Sequence, residues 1–136
     1  MNPAGTAPEW NRTNYAGYFQ RSTTLASGTQ DVSLGVTLKP SGILFVGCIN
    51  NLPGRMSFAF VGGGGTATYG VWDVYNTTAN AWYYATSLVF RQGASSAYQY
   101  SGVVSSFNAD GFTITWTKGA SAIDGETITV SYLVFR

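Results

Sequence analysis

The fold is decided by Phe112-Thr113-Ile114-Thr115-Trp116-Thr117, a stretch in which large apolar residues alternate strictly with threonines. Alternation with a period of two places one set of side chains in a core and the other on a polar face, as in a half-buried β-strand. Asn108–Gly111 precedes it with residues typical of a turn, and Gly111 is free to adopt a positive φ. The stretch therefore predicts a strand with Trp116 on its buried side.

The C-terminal segment repeats this pattern. Between Thr127 and Phe135 the sequence is TITVSYLVF, so that Ile128, Val130, Tyr132 and Val134 alternate with smaller polar residues before the second face becomes apolar at Leu133 and Phe135. A second core strand is predicted here, with an outer face that is apolar near its end.

Short alternating segments separated by Gly, Pro and Asn continue through most of the chain. Turn residues occur at 39–42 and 50–54, Val32–Leu38 alternates, and no stretch has the apolar period of an α-helix. About eight to ten short strands at this spacing are typical of a sandwich or barrel. We predict an all-β fold, an antiparallel β-sandwich that is jelly-roll-like, formed by one domain over residues 18–136.

Ile43–Ile49 is almost wholly apolar and predicts a strand buried on both faces. It contains Cys48, the single cysteine of the chain, which has no cysteine partner for an internal disulfide. A nucleophilic thiol is usually paired with histidine, and this sequence has none. We therefore expect Cys48 to be a buried structural thiol.

Residues 1–17 are predicted to form an irregular N-terminal arm. Prolines and glycines interrupt regular structure there, yet the rings of Trp10 and Tyr15 are too apolar to remain in water. Such a segment gains order by docking on a partner. Its candidate partner-binding residues are Trp10, Arg12 and Tyr15.

Charged residues are scarce. They make up 10% of the 136 residues against 45% hydrophobic and 15% aromatic ones, and the net charge is +1. An ordinary domain carries about 25% charged residues. A neutral surface keeps copies apart poorly, so the composition favours a member of an assembly, although a monomer with a threonine-rich surface is the alternative. The basic residues are spread singly, which argues against nucleic acid as a partner.

The sequence offers little for catalysis or metal binding. Without histidine and with one cysteine, a transition-metal site is not expected. Asp110, Asp124 and Glu126 would form a calcium site only if their loops met, and Asp-Gly pairs at 110 and 124 are also ordinary turn residues. We predict no enzymatic activity, no cofactor and no metal.

Aromatic residues concentrate in the middle third of the chain. Trp72, Trp82 and Tyr84 lie near Asn76 and Asn80, and flat rings combined with amides suit a sugar, which presents C–H faces and hydroxyl edges. The same rings are equally suited to a core or a protein interface. These three residues are candidates for glycan binding, with core packing or interface as the other interpretation.

The C-terminal third resembles a known group of proteins. The segments SFNADGFTITWTK (106–118) and ITVSYLVFR (128–136) are similar to the C-terminal hairpin of small β-sandwich modules in tailed-bacteriophage virion proteins, of the decoration, head-fibre and tail-fibre types. The resemblance is strongest over Phe107–Arg136 and extends loosely back to about Phe19. It implies a β-sandwich fold, which by itself does not fix a function.

Combined with the low charge, the resemblance implies a non-enzymatic virion structural protein, a capsid-decorating or head-attached module present in many copies. Its expected partners are other copies of itself, as a trimer by analogy, and the major capsid protein or another virion protein, with no nucleic acid and no membrane. The N-terminus has no signal-peptide pattern and no apolar stretch reaches about 20 residues, so we expect assembly in the host cytoplasm and location in the virion. The alternative is a lectin-like receptor-binding module of a tail fibre or spike that binds host-surface glycan.

Overall fold

The computed structural model describes residues 14–51, 56–62, 67–75, 81–85, 87–92 and 96–136, with the backbone alone at 14, 67–75, 81–85, 89, 91 and 96. These residues contain ten strands and no α-helix, apart from a short 3-10 turn at Ser96–Tyr98. The strands are β1 (Asn14–Ser22), β2 (Gly28–Ser33), β3 (Gly42–Ile49), β4 (Met56–Gly62), β5 (Ala67–Tyr75), β6 (Ala81–Ala85), β7 (Leu88–Arg91), β8 (Gln99–Asn108), β9 (Gly111–Lys118) and β10 (Thr127–Phe135).

The strands form two antiparallel sheets. One has six strands in the order β1-β10-β3-β4-β5-β6, and the other has four in the order β2-β9-β8-β7. Consecutive strands β3 to β6 form a meander in the larger sheet and β7 to β9 form one in the smaller sheet, after which β10 returns to lie between β1 and β3. The predicted all-β sandwich is confirmed, while its jelly-roll-like connectivity stays a prediction.

Aromatic rings from both sheets fill the space between them. Phe112 of β9 packs edge-on against Phe45 of β3 and Tyr132 of β10, each with ring centroids 5.5 Å apart. Phe19 of β1 meets Trp116 of β9 at 6.5 Å. Edge-to-face pairs of this kind stabilise beyond the area they bury. The core therefore joins the two sheets through the residues that the sequence placed on the inner side of β9 and β10.

The alternation predicted for β9 and β10 is confirmed. Trp116 is 1% exposed, and Phe112, Ile114, Ile128 and Val130 are fully buried. Trp116 keeps its polar atom satisfied, because Nε1 donates a hydrogen bond to Gln30 Oε1 at 3.0 Å.

Arg21, on the inner side of β1, is a buried cation at the margin of the core. Its guanidinium lies 5.3 Å from the centre of the Trp116 ring, and Nη2 donates to the carbonyl oxygen of Ala26 at 2.6 Å. Desolvation lowers the pKa of Arg21, and the nearby Tyr100 partly counters this effect. The ring contact and the hydrogen bond offset part of the cost of burying this charge.

Several boundaries differ from the sequence predictions. Strand β1 begins at Asn14, so residues 14–17 of the predicted arm belong to the sheet and pair with β10, while residues 1–13 lie outside the described residues. Strand β2 ends at Ser33 although the alternation continues to Leu38. The reason is Gly35, whose φ of 70° turns the chain out of the extended conformation.

Two predictions about individual residues were wrong. Strand β3 is buried on one face only, and Cys48 lies on the exposed face as a free thiol. Gly111 has no positive φ; it is required because a Cβ there would lie 2.0 Å from the carbonyl oxygen of Val32 on the neighbouring strand. A close backbone approach, rather than a turn conformation, selects glycine at this position.

Candidate functional site on the outer face of the six-stranded sheet

The outer face of the larger sheet is apolar at its centre. Strand β4 exposes Met56, Phe58 and Phe60 by 49%, 42% and 40%, and Val46 of β3 is 37% exposed beside them. Leu44, Leu133 and Phe135 are half-buried on the same face, and the rings of Phe60 and Phe135 lie 6.1 Å apart. Contiguous exposed apolar side chains of this kind mark binding surfaces in folded proteins.

Strand register aligns these residues in three rows across the sheet. The first row runs from Tyr18 through Ser131 and Val46 to Phe58, the second from Gln20 through Thr129 and Cys48 to Met56, and the third from Ala16 through Leu133 and Leu44 to Phe60. Residues directly opposite one another on neighbouring strands share a face and have adjacent side chains. We call these three rows the apolar face.

The inner side of β3 and β4 explains why the large residues of β4 point outward. Ser57 and Ala59 are fully buried, and they pair with Gly47 and Phe45 of β3. A Cβ on Gly47 would lie 2.8 Å from the Phe90 ring, which already fills that space from the smaller sheet. Because the core accepts only small side chains here, the phenylalanines of β4 are left on the outer face.

No residue in the three rows carries a charge. Apart from the hydroxyls of Tyr18 and Ser131 in the first row, the polar groups lie at one corner, where Gln20 Nε2 donates to Thr129 Oγ1 at 3.2 Å and the Thr129 hydroxyl donates to Asn50 Oδ1 at 3.0 Å. Cys48 Sγ lies 4.0 Å from the same Asn50 oxygen. The apolar face thus combines an apolar centre with a neutral polar margin, the composition of a protein interface whose core is depleted of charge.

The backbone brings the three glycan-binding candidates into these rows. Trp72 of β5 is the register partner of Phe58, and Tyr84 of β6 is the register partner of Trp72, so both extend the first row. Trp82 pairs with Val74, which pairs with Met56, and so extends the second row. The sequence singled out these residues by type, but the two rows that contain them also include Phe58 and Met56, which the sequence analysis did not select.

The other predicted residues are dispersed. Trp10 and Arg12 lie outside the described residues, and Tyr15 is 36% exposed on the edge strand β1. Tyr100, one of the middle-third aromatic residues, is fully buried, and its hydroxyl donates to the carbonyl oxygen of Thr23. It is a core residue and has no surface to offer a ligand.

The three carboxylates considered for calcium are not brought together. Asp110 precedes β9, whereas Asp124 follows the opposite end of that strand and forms an ion pair with Lys118. Eight residues of strand separate them by roughly 25 Å. In the part of the chain that the structure describes, no three His, Cys, Asp or Glu side chains lie close enough to hold a metal ion.

Asp110 instead borders a depression of about 500 Å³ at one end of the smaller sheet, together with Asp31. The Thr113 hydroxyl donates to Asp31 Oδ1 at 2.5 Å, and the Ser33 hydroxyl donates to Asp110 Oδ2 at 3.4 Å. Each of the two carboxylates thus accepts a hydrogen bond from a neighbouring strand. These contacts assign both residues a part in holding β2 against β9.

Comparison with known proteins adds no relative. The chain matches no protein-family model, no curated protein and no solved structure at a significant level. Within the described residues, no helix is long and apolar enough to cross a membrane.

Proposed function

We propose that the protein is a non-enzymatic structural protein of a bacteriophage virion, a capsid-decorating or head-attached module present in many copies. The observation that carries this proposal is the apolar face: a contiguous, uncharged surface that exposes Val46, Met56, Phe58 and Phe60. Such a surface is costly to leave in water and is suited to permanent contact with protein. The resemblance of residues 107–136 to phage virion modules is the reason for proposing a virion as the assembly.

The partners follow from the same two observations. The proposed partners are other copies of the chain, as a trimer, and the major capsid protein or another virion protein, and one of these partners covers the apolar face. Net charge of +1 with singly spread basic residues gives no attraction for nucleic acid or an anionic membrane. Under this proposal the protein is assembled in the host cytoplasm and is part of the virion.

The direct test is to locate the protein in infected cultures. Particles purified on a density gradient from the phage that encodes the chain should contain it in many copies by quantitative mass spectrometry, and antibody labelling should place it on the particle surface. Accumulation of the protein in the lysate with none on the gradient-purified particles would contradict the proposal.

The N-terminal segment offers a second test. Because β1 begins at Asn14, deletion of residues 1–13 retains all ten described strands and removes Trp10 and Arg12. If this segment docks on the capsid, the truncated protein should fold with an unchanged β-sheet circular dichroism spectrum yet fail to attach to particles. Retained attachment would exclude the segment as the docking element. A Trp10→Ala, Arg12→Ala double variant in the full chain removes the two side chains without shortening the chain and serves as the control for truncation.

A lectin-like receptor-binding module of a tail fibre or spike is the alternative, favoured by the register that extends the apolar face through Trp72, Trp82 and Tyr84. Under this alternative a glycan array should show binding that Trp72→Ala or Trp82→Ala abolishes. Tyr98→Ala is the control, because Tyr98 is also an exposed tyrosine (41%) but precedes β8, a strand of the smaller sheet, and so lies outside the apolar face. No glycan bound by the parent protein would eliminate the alternative.

A further inference from the structure

We infer that copies of this chain associate through the apolar face, and that its occupant is the same face of a second copy. The inference deepens the proposed function by naming the surface through which copies meet, and it rests on that proposal only for the expectation that many copies meet. The capsid partner would then be contacted by another part of the molecule.

The exposed apolar area is the first argument. Tyr18, Val46, Met56, Phe58 and Phe60 are between 37% and 69% exposed, which corresponds to roughly 450 Å² if a complete large side chain offers about 200 Å². A stable protein interface buries about 800 Å² per partner, of which about 57% is apolar. The apolar face therefore supplies about the apolar area that one side of such an interface contains.

Charge is the second argument. The three rows contain no Asp, Glu, Lys or Arg, so a charged partner would have to bury its charges against this face without compensation. A second copy presents the same neutral surface and incurs no such cost. The sparse charge of the whole chain also leaves little long-range repulsion between copies.

Geometry is the third argument. Two sheet faces pack with their side chains interdigitated about 10 Å apart, and this requires long rows of apolar residues in register rather than a single protruding residue. The rows of the apolar face each cross four strands, from β1 to β4. A symmetric contact uses the same patch on both copies and joins them in pairs, so the apolar face forms a dimer contact, and the proposed trimer requires a second, head-to-tail contact on another surface.

The chain contains a natural reporter for this contact. Cys48 is its single cysteine, and its exposed thiol lies in the second row, at the margin of the apolar face, between Thr129 and Met56. If the face is covered by a second copy, iodoacetamide should alkylate Cys48 slowly in the assembly and faster after dilution has separated the copies. This measurement needs no substitution and so does not depend on whether a variant folds.

A matched pair of substitutions separates this face from the rest of the surface. Val46 and Val103 are each 37% exposed, but Val46 lies on the apolar face and Val103 on the outer face of the smaller sheet. Analytical ultracentrifugation of the full chain should show that Val46→Lys weakens self-association at least about 100-fold, because two like charges meet in the contact. Val103→Lys should associate as the parent does, and Phe58→Lys should behave as Val46→Lys.

Several outcomes would overturn the inference. The inference would be overturned if the parent protein were monomeric at micromolar concentration and Cys48 were alkylated at the same rate at every dilution. Equal weakening by Val46→Lys and Val103→Lys would overturn it as well. If deletion of residues 1–13 abolished association while Val46→Lys left it intact, the contact would belong to the N-terminal segment instead.

The same experiments distinguish a failure of this inference from a failure of the proposed function. A monomeric protein that is nevertheless found on purified particles would defeat the inference and leave the virion proposal intact. Association that depends on Val46, with no protein on the particles, would support the inference and defeat the virion proposal.

Discussion

The two outer faces of the sandwich cover the same core but differ in composition. Among the residues whose side chains the structure describes, the smaller sheet presents hydroxyl-bearing residues and one aspartate around the exposed Val103: Thr29, Asp31, Ser101, Ser105, Thr113, Thr115 and Thr117. The larger sheet presents Val46, Met56, Phe58 and Phe60. Both faces are built from alternating strands, so alternation alone does not decide which face meets water. The chemistry of the outward residues does.

Strands β9 and β4 show this difference most directly. In β9 the large residues are buried and the threonines point outward, whereas in β4 Ser57 and Ala59 are buried and the phenylalanines point outward. A surface strand that needed only water as its neighbour would gain nothing from exposed phenylalanines. The inverted arrangement of β4 therefore supports the proposed protein contact on the larger sheet.

The largest effect is expected on the inner side of β9. Trp116→Ala should lower the free energy of unfolding by about 3–5 kcal/mol, because it removes a fully packed ring between the sheets and leaves a cavity. Urea unfolding followed by circular dichroism measures the loss. Thr115→Ala, one step along the same strand on the outer face, should change it by less than about 0.5 kcal/mol. Similar losses for both variants would contradict the division of β9 into an inner and an outer side.

An intermediate effect is expected at Gly47, next to Val46 on the inner side of β3. Gly47→Ala should destabilise by about 1–3 kcal/mol, because the new methyl group meets the buried Phe90 ring at 2.8 Å. Ser131→Ala, on the outer side of the neighbouring strand, is the control and should be nearly neutral.

A double variant tests the cause of this loss. Phe90→Leu should recover part of the stability that Gly47→Ala loses, since a smaller side chain makes room for the methyl group. Independent, additive losses from the two substitutions would show that the Phe90 ring is not what restricts position 47.

Local sequence predicted both the strand and its buried side where the two alternating sets of side chains differ in polarity. In β9 and β10 threonine and serine alternate with large apolar residues, and the inner side was identified without the structure. In β3 and β4 both sets are apolar or small, as with Phe58 and Ala59, so the pattern indicated a strand but not its outward side. The buried side depends on Phe90, which comes from a distant part of the chain.

The apolar face could not be predicted from local sequence, because it is formed by residues of several paired strands. Trp72 and Tyr84 were selected for their ring type, but their position in one row with Phe58 follows from the pairing of β4, β5 and β6. Register is set by the whole sheet rather than by any single segment. Cys48 was misplaced for the same reason, since an apolar run alone does not show which of its residues the core excludes.

The smallest effect concerns pH and the inner side of β10. Desolvation raises the pKa of Tyr132 above its usual value of 10.0, and the nearby Tyr15 adds to the shift. The folded protein thus holds the phenolic proton more tightly than the unfolded chain, so this contribution to stability is complete below about pH 10 and is lost as pH rises through the folded pKa. Lys118 acts in the same direction, because its hydrogen bonds to Asp124 and Tyr100 raise its pKa.

Tyr132 on the inner side and Tyr18 on the outer side of the larger sheet form a matched pair of tyrosines for testing this effect. Unfolding measured from pH 9 to 11, at a protein concentration where the chain is monomeric, should show a shallower alkaline loss in Tyr132→Phe than in the parent protein, since the buried phenol no longer titrates. Tyr18 lies on the outer face, 69% exposed, and meets water in both the folded and the unfolded chain. Tyr18→Phe leaves the buried Tyr132 phenol in place, so this control variant should retain the alkaline slope of the parent. A slope that Tyr18→Phe reduces and Tyr132→Phe leaves unchanged would reverse the assignment of inner and outer sides that the apolar face depends on.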